Sequence, residues 1–191
     1  KELTGYADLS DAYGFMMNID GHWFYVLTLP TQKRTFVYDP DEDAWHNRES
    51  YQLGYWRASC YESIFGINLV GDSESNKLGM LDRHVYQEYG GHWIARRVSG
   101  VFAAKNKLVS ANRLELTFPS GQVPQGITHQ ARLRWSDNKG LTYGNPMIKE
   151  IGTAGAGNQR LVWWSMGSFR QRVYELSIST AANRDLIDED F

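Results

Sequence analysis

Polar and apolar positions alternate in short runs along this chain. LELTF sets Leu114, Leu116 and Phe118 on one side, against Arg113, Glu115 and Thr117 on the other. QARLRW opposes Ala131, Leu133 and Trp135 to Gln130, Arg132 and Arg134, and RVYELSIS opposes Tyr174, Leu176 and Ile178 to Glu175, Ser177 and Ser179. A period of two marks strands with one dry and one wet face. These runs therefore predict an antiparallel β-sandwich over residues 90–180.

The first 89 residues carry shorter and denser apolar runs. GFMMNID, HWFYVLTL, RTFVYD and WHNRE are separated by the turn formers Asp20-Gly21, Pro30-Thr31-Gln32-Lys33 and Asp39-Pro40-Asp41. WRASCYESIF, INLVGD, KLGMLD and HVYQEY make a second set. A slide of 43 residues places Asp39 on Asp82, Tyr38 on Leu81, Leu27 on Val70 and Val26 on Leu69. Blades of four-stranded propellers repeat at about this spacing, ~40–50 residues. About two four-stranded blades are expected here. A closed propeller needs at least ~4, so residues 1–89 are expected to be the C-terminal portion of a larger propeller with further blades before Lys1. No segment shows the period of an amphipathic helix. The expected fold is all-β: a partial β-propeller over 1–89, a sandwich over 90–180 and an acidic tail over 181–191.

Composition agrees with this picture and sharpens one part of it. Aromatic residues reach 14%, with 7 Trp and 11 Tyr, which favours strands, and 42% hydrophobic content supports a packed core. Residues 1–89 hold 7 Lys and Arg against 14 Asp and Glu, whereas residues 90–180 hold 12 against 4. An acidic part joined to a basic part suggests two surfaces with different partners. The single Cys60 excludes an internal disulfide framework and reads as a small buried hydrophobe in a strand. No apolar run is long enough to span a membrane.

One motif carries candidate chemistry. WSDNKGLTYG fits Ser-x-Asp/Asn-x-Gly-x-Thr-aromatic, with Ser136, Asn138, Gly140, Thr142 and Tyr143 in the five slots. It resembles the Asp-box of sialidases and other propeller enzymes. Physically the motif is a hairpin turn: Asp137 and Asn138 are placed to bond nearby backbone amides, and Gly140 supplies the positive φ of the reversal. It occurs once, and nothing orders an arginine cluster, a Tyr nucleophile and an acid into a sialidase site. No catalytic residue is assigned, and a glycan-binding or glycoside-cleaving propeller is the alternative reading.

Other features weigh less. Gly21-His22-Trp23 and Gly91-His92-Trp93 read as turn-to-strand starts, and neither His has a partner at metal-ligand spacing. Asp39 to Asp43 is acidic but lacks the glycine and terminal Glu of an EF-hand, so it reads as a solvated turn. GTAGAGNQ, residues 152–159, lies between strands and has no helix to complete a phosphate loop. No metal or cofactor is expected. Arg96, Arg97, Arg132, Arg134, Arg170 and Arg172 recur on neighbouring segments and are the candidate partner-binding residues, through acidic protein or a phosphate backbone. Direct nucleic-acid binding is a third reading, although no RRM, OB or helix-turn-helix signature accompanies the charge.

The order of phrases adds a resemblance. GHWFYVLTLPTQKRTFVYD leads through WHNR, YWRAS and LVGDSESNKLGMLD to RLELTFPSGQ, ARLRWSDNKGLTYGNP, IKEIGTAGAGNQR and LVWWSMGSFRQRVYELSIS. This run resembles the C-terminal part of the packaged-DNA stabilisation proteins, the tail-hub or tail-accessory factors of short-tailed bacteriophages. The family pattern usually has Asp-Gly-Gly-x-Thr-Trp in the hairpin, where this chain has Asn138-Lys139-Gly140-Leu141-Thr142-Tyr143. It also favours an arginine-rich stretch where Gln159 to Trp164 retains one, Arg160. The resemblance implies a virion protein without enzymatic activity, assembled in the host bacterial cytoplasm into a hexameric tail hub. Such a hub lies beneath the portal and adaptor rings, closes the channel over packaged DNA without sequence-specific binding, and seats the tail needle and tailspikes.

Overall fold

The computed structural model describes residues 5–6, 8–82, 84–91, 93–118, 123, 126–153, 155 and 157–182, and the backbone of Asp188–Asp190. The chain is all-β, with no α-helix among the described residues, and divides into two units, Lys1–Gly91 and His92–Phe191.

The first unit begins with a four-stranded antiparallel meander: β1 (Tyr13–Ile19), β2 (His22–Leu29), β3 (Arg34–Asp39) and β4 (Ala44–Asn47). These are the four strands expected from the first set of apolar runs. Asp20 and Gly21 join β1 to β2 with φ of 54° and 90°, the double positive φ of a type I′ hairpin turn. The second set yields three strands, β5 (Ala58–Ile64), β6 (Ile67–Asp72) and β7 (Leu78–Leu81). Its expected fourth strand, HVYQEY, makes only the bridge Glu88↔Gly91. There the Asp82 carboxylate accepts the His84 amide at 2.8 Å and its carbonyl accepts the Val85 amide at 3.1 Å, so a local turn takes the backbone groups a ladder would need.

The two sheets share a core of Met17, Val26 and Val37 from the first, Ala58 and Val70 from the second, and Trp56 between them. Its buried polar groups are paired. Thr28 and Thr35 hydroxyls lie 3.0 Å apart, and Thr35 Oγ1 also accepts the Trp56 amide at 2.8 Å. The 43-residue slide carries the β2–β3 register onto that of β6–β7: Val26↔Val37 falls on Leu69↔Met80, and Leu27↔Phe36 on Val70↔Gly79. Val26 and Val70 are one residue out of step with that slide, so the two sheets turn opposite faces to their shared core. Cys60 corrects another expectation: it is exposed, because a bulge between Ala58 and Cys60 turns its side chain away from the core.

The second unit contains β8 (Ala95–Val98), β9 (Phe102–Ala103), β10 (Val109–Ser110), β11 (Arg113–Phe118), β12 (His129–Ser136), β13 (Met147–Gly152), β14 (Gln159–Trp164), β15 (Ser168–Phe169), β16 (Gln171–Ile178) and β17 (Asp188–Asp190). One sheet runs β13-β12-β16-β8, with β9 also on β16; a second runs β14-β11-β17; β10 and β15 pair alone. Leu114, Leu116 and Phe118 of β11 and Leu161 and Trp163 of β14 share a core with Ala131, Leu133, Ile151, Tyr174 and Ile178 of the larger sheet. The inward faces of β11 and of Ala131 and Leu133 are those the alternation predicts. The strand β16 departs from it. Val173, Tyr174 and Glu175 are buried in succession, because β16 is an interior strand covered on both faces. Within the segment expected to be an acidic tail, Asp188–Asp190 pairs with Glu115 to Thr117 of β11.

Candidate functional site

The Asp-box hairpin leaves β12 at Ser136 and consumes its polar groups on itself. Ser136 Oγ accepts the Gly140 amide at 2.9 Å and the Asn138 amide at 3.3 Å, and donates to Asn138 Oδ1 at 2.7 Å. Asn138 Oδ1 accepts the Thr142 amide at 2.9 Å, while its Nδ2 donates to Thr142 Oγ1 at 2.7 Å. Lys139 and Gly140 take φ of 62° and 89°, and the Gly144 amide closes the turn on Trp135 O at 3.0 Å. Serine, asparagine and threonine at these spacings are therefore explained by turn geometry alone.

Asp137 does something the local reading misses. Its two carboxylate oxygens receive Arg172 Nε at 2.6 Å and Arg172 Nη2 at 2.9 Å, in a bidentate pair across 35 residues of sequence. Arg172 is 2% exposed. Its Nη1 donates to Met166 O at 2.7 Å, and its guanidinium lies 4.3 Å from the Phe169 ring centre and 5.1 Å from that of Trp135. Burial acts to strip its proton, but the bonds to Asp137 and Tyr174 outweigh this and raise its affinity for the proton above that of an ordinary arginine. Arg172 was a candidate for partner binding; its place is inside the domain, where it offers no charge to a partner.

The remaining candidate arginines are divided. Arg134 is bound to buried Glu175 at 2.7–2.8 Å and stacks 4.7 Å from the Tyr143 ring, so its charge is compensated internally. Exposed Arg170 donates to Asn106 O at 2.5 Å. Arg132 and Arg96 both lie opposite Ser177, one on each side of β16, so the two exposed guanidinium groups share the sheet's outer face. Arg97, opposite Leu176, projects to the other face at the sheet edge. Two of the six, Arg96 and Arg132, thus lie on the same outer face, one on each side of Ser177.

In the first unit, sequence spacing gave no hint of a bidentate ion pair between Arg57 and Asp72. Arg57 grips Asp72 with Nε at 2.6 Å and Nη2 at 2.5 Å, and the carboxylate is fully covered. That hydrogen bonding holds Asp72 well below the usual carboxylate range, at about 2. Of the two Gly-His-Trp copies, His22 does open β2, whereas His92 lies outside the described residues. The glycine-rich 152–159 stretch joins the end of β13 to the start of β14; Ala154 and Ala156 within it lie outside the described residues.

A search of curated proteins found no match. Residues 95–187 do match a protein family, described as Bacteriophage P22 Gp10, beta-sandwich. The matched span opens at the first residue of β8 and takes in every strand of the second unit except β17, so the correspondence is with a folding unit and not with a motif. Over nearly its whole length that unit is similar to the β-sandwich of the P22 Gp10 family, a match that points to a structural protein of a phage tail.

Proposed function

We propose that the protein is a component of the tail hub that closes the portal channel after packaging, retains the DNA and seats the tail needle and tailspikes. The match of the sandwich to the Gp10 family carries this reading. The site chemistry supports it, since the Asp-box groups that suggested a glycosidase are hydrogen-bonded to one another and to Arg172. Ring assembly, with six copies as the resemblance implies, would use surfaces such as the outer face bearing Arg96 and Arg132, which fits an acidic protein surface.

The first unit fits this proposal as part of a larger propeller. Its first sheet lines up Met16, Tyr25, Tyr38 and Trp45 in one cross-strand row on the face away from the core, with Trp45 55% exposed. The second sheet turns Leu69, Leu78 and Met80 outward, with Leu78 74% exposed. A wet sheet face is normally polar, so two apolar outer faces are suited to further blades stacked on them.

The test is a phage carrying a stop codon in this gene. Particles should package DNA but lose it, and negative-stain images should show tails lacking needle and spikes. Particles that keep their genome and complete tails would end the proposal.

A further inference from the structure

The end of the first sheet gathers metal-ligating groups from three strands and a turn. Asp39 closes β3, Asp41 and Glu42 lie in the following turn, His22 opens β2 and His46 lies in β4. His46 pairs with Val37 in register, and Val37 faces the core, so His46 and Asp39 project to that same side of the sheet. His22 Nδ1 is 3.0 Å from Asp41 Oδ2, and His46 Nε2 is 3.8 Å from Glu42 Oε2. The groups fall into two triads, His22–Asp39–Asp41 and Asp39–Glu42–His46, each with its donor atoms within 4.8 Å of one another. Asp39 belongs to both.

Charge makes this cluster unusual for a solvated turn. Asp39 is 6% exposed, and its Oδ1 is fixed by the amides of Asp41 at 2.9 Å and Glu42 at 3.4 Å. Among the described residues, no Lys or Arg pairs with Asp39, Asp41 or Glu42; the only ion-pair partners are the two imidazoles. Asp39, Asp41 and Glu42 are thus three carboxyl groups gathered with no Lys or Arg counter-charge among the described residues. The neighbouring Asp43 is taken by the Tyr38 hydroxyl at 2.7 Å.

We infer that this sheet end binds a divalent transition-metal ion of the zinc class in the first triad, with His22 as its nitrogen donor and Asp39 and Asp41 as its oxygen donors. Zinc bonds of about 2.0–2.2 Å to N and O place neighbouring ligand atoms of a tetrahedral site roughly 3.3 Å apart. The His22–Asp41 separation of 3.0 Å lies close to that value. Imidazole together with carboxylate selects this class over calcium and magnesium, which take oxygen donors. Bound there, the ion would tie the acidic β3–β4 turn to the start of β2.

The experiment is calorimetric titration of the untagged full chain with Zn²⁺ at pH 7.5, beside the variant H22A. His22 is exposed, so the variant keeps its core. Binding of about one equivalent, weakened at least ~10-fold in the variant, is expected, because removing even an indirect support of a metal ligand costs 10–100-fold. The thermal midpoint should rise with Zn²⁺ in the wild-type chain and not in the variant, and excess Ca²⁺ should leave zinc binding unchanged. Equal affinity in the two proteins, no zinc binding, or displacement of zinc by Ca²⁺ would each overturn the assignment.

Discussion

Asp137→Ala removes both acceptors of a guanidinium that is 2% exposed. Breaking a buried ion pair from one side typically costs 3–5 kcal/mol, because the surviving charge keeps its desolvation penalty. Two features reduce that figure here. The Asp137 side chain is 48% exposed, which lets water approach the orphaned guanidinium, and Arg172 retains Met166 O and its aromatic neighbours. A loss of about 2–4 kcal/mol is therefore expected. Urea titration, with the second unit followed through amide exchange in β12 and β16, measures it as a lower midpoint at unchanged slope. Arg172→Met should cost a comparable amount, since it leaves Met166 O and the half-exposed Asp137 carboxylate without their donor, and the double variant should cost less than the two singles together. A coupling of at least ~1.5 kcal/mol between the sites is the expected outcome of the cycle. An Asp137→Ala variant within ~0.5 kcal/mol of wild type, or strict additivity, would refute the clamp.

Gly140→Val should destabilise by about 1–3 kcal/mol, since φ at Gly140 is 89° and a Cβ there would meet Tyr143 Oη at 3.3 Å; a thermal melt reads this. The stability that Asp72 contributes is present above its unfolded pKa, near 3.8, and is lost as pH falls toward about 2. Acid titration of wild type against Arg57→Met should show a difference on the order of 2 kcal/mol at pH 5 that shrinks through that window. Reversal of the exposed pair, R96E/R132E, should leave folding within ~0.5 kcal/mol per site while weakening hub assembly in a salt-dependent way, measured by sedimentation. Arg134→Glu differs in kind: it sets a carboxylate against buried Glu175 and should unfold the second unit at lower urea.

The strands were legible because alternation and turn chemistry are local properties. Asp20-Gly21 declares its hairpin, and Leu114, Leu116 and Phe118 declare their face. Where neighbours on both sides decide burial, the pattern fails: Glu175 reads as outward in RVYELSIS but is enclosed between strands and paired with Arg134. Cys60 fails for a related reason, as one bulge reverses the side it faces. The roles of Asp137 and Arg172 were not legible at all, since residues 35 apart reveal no pairing until β12 and β16 lie side by side. The same holds for His22, Asp39 and Asp41, whose spacing in sequence matches no ligand pattern although the meander brings them together.

The Arg172 guanidinium also has a mechanical meaning. Through Asp137 it holds the 136–144 hairpin, and through Met166 O it holds the connection between β14 and β15, while its own backbone lies in the interior strand β16. Two loops that would otherwise bend independently are fastened to one stiff rod. A push on either loop is passed into the sheet as compression along β16, not absorbed by loop motion. For a protein of a phage tail, this end of the sandwich can bear load from a docked neighbour as a single block.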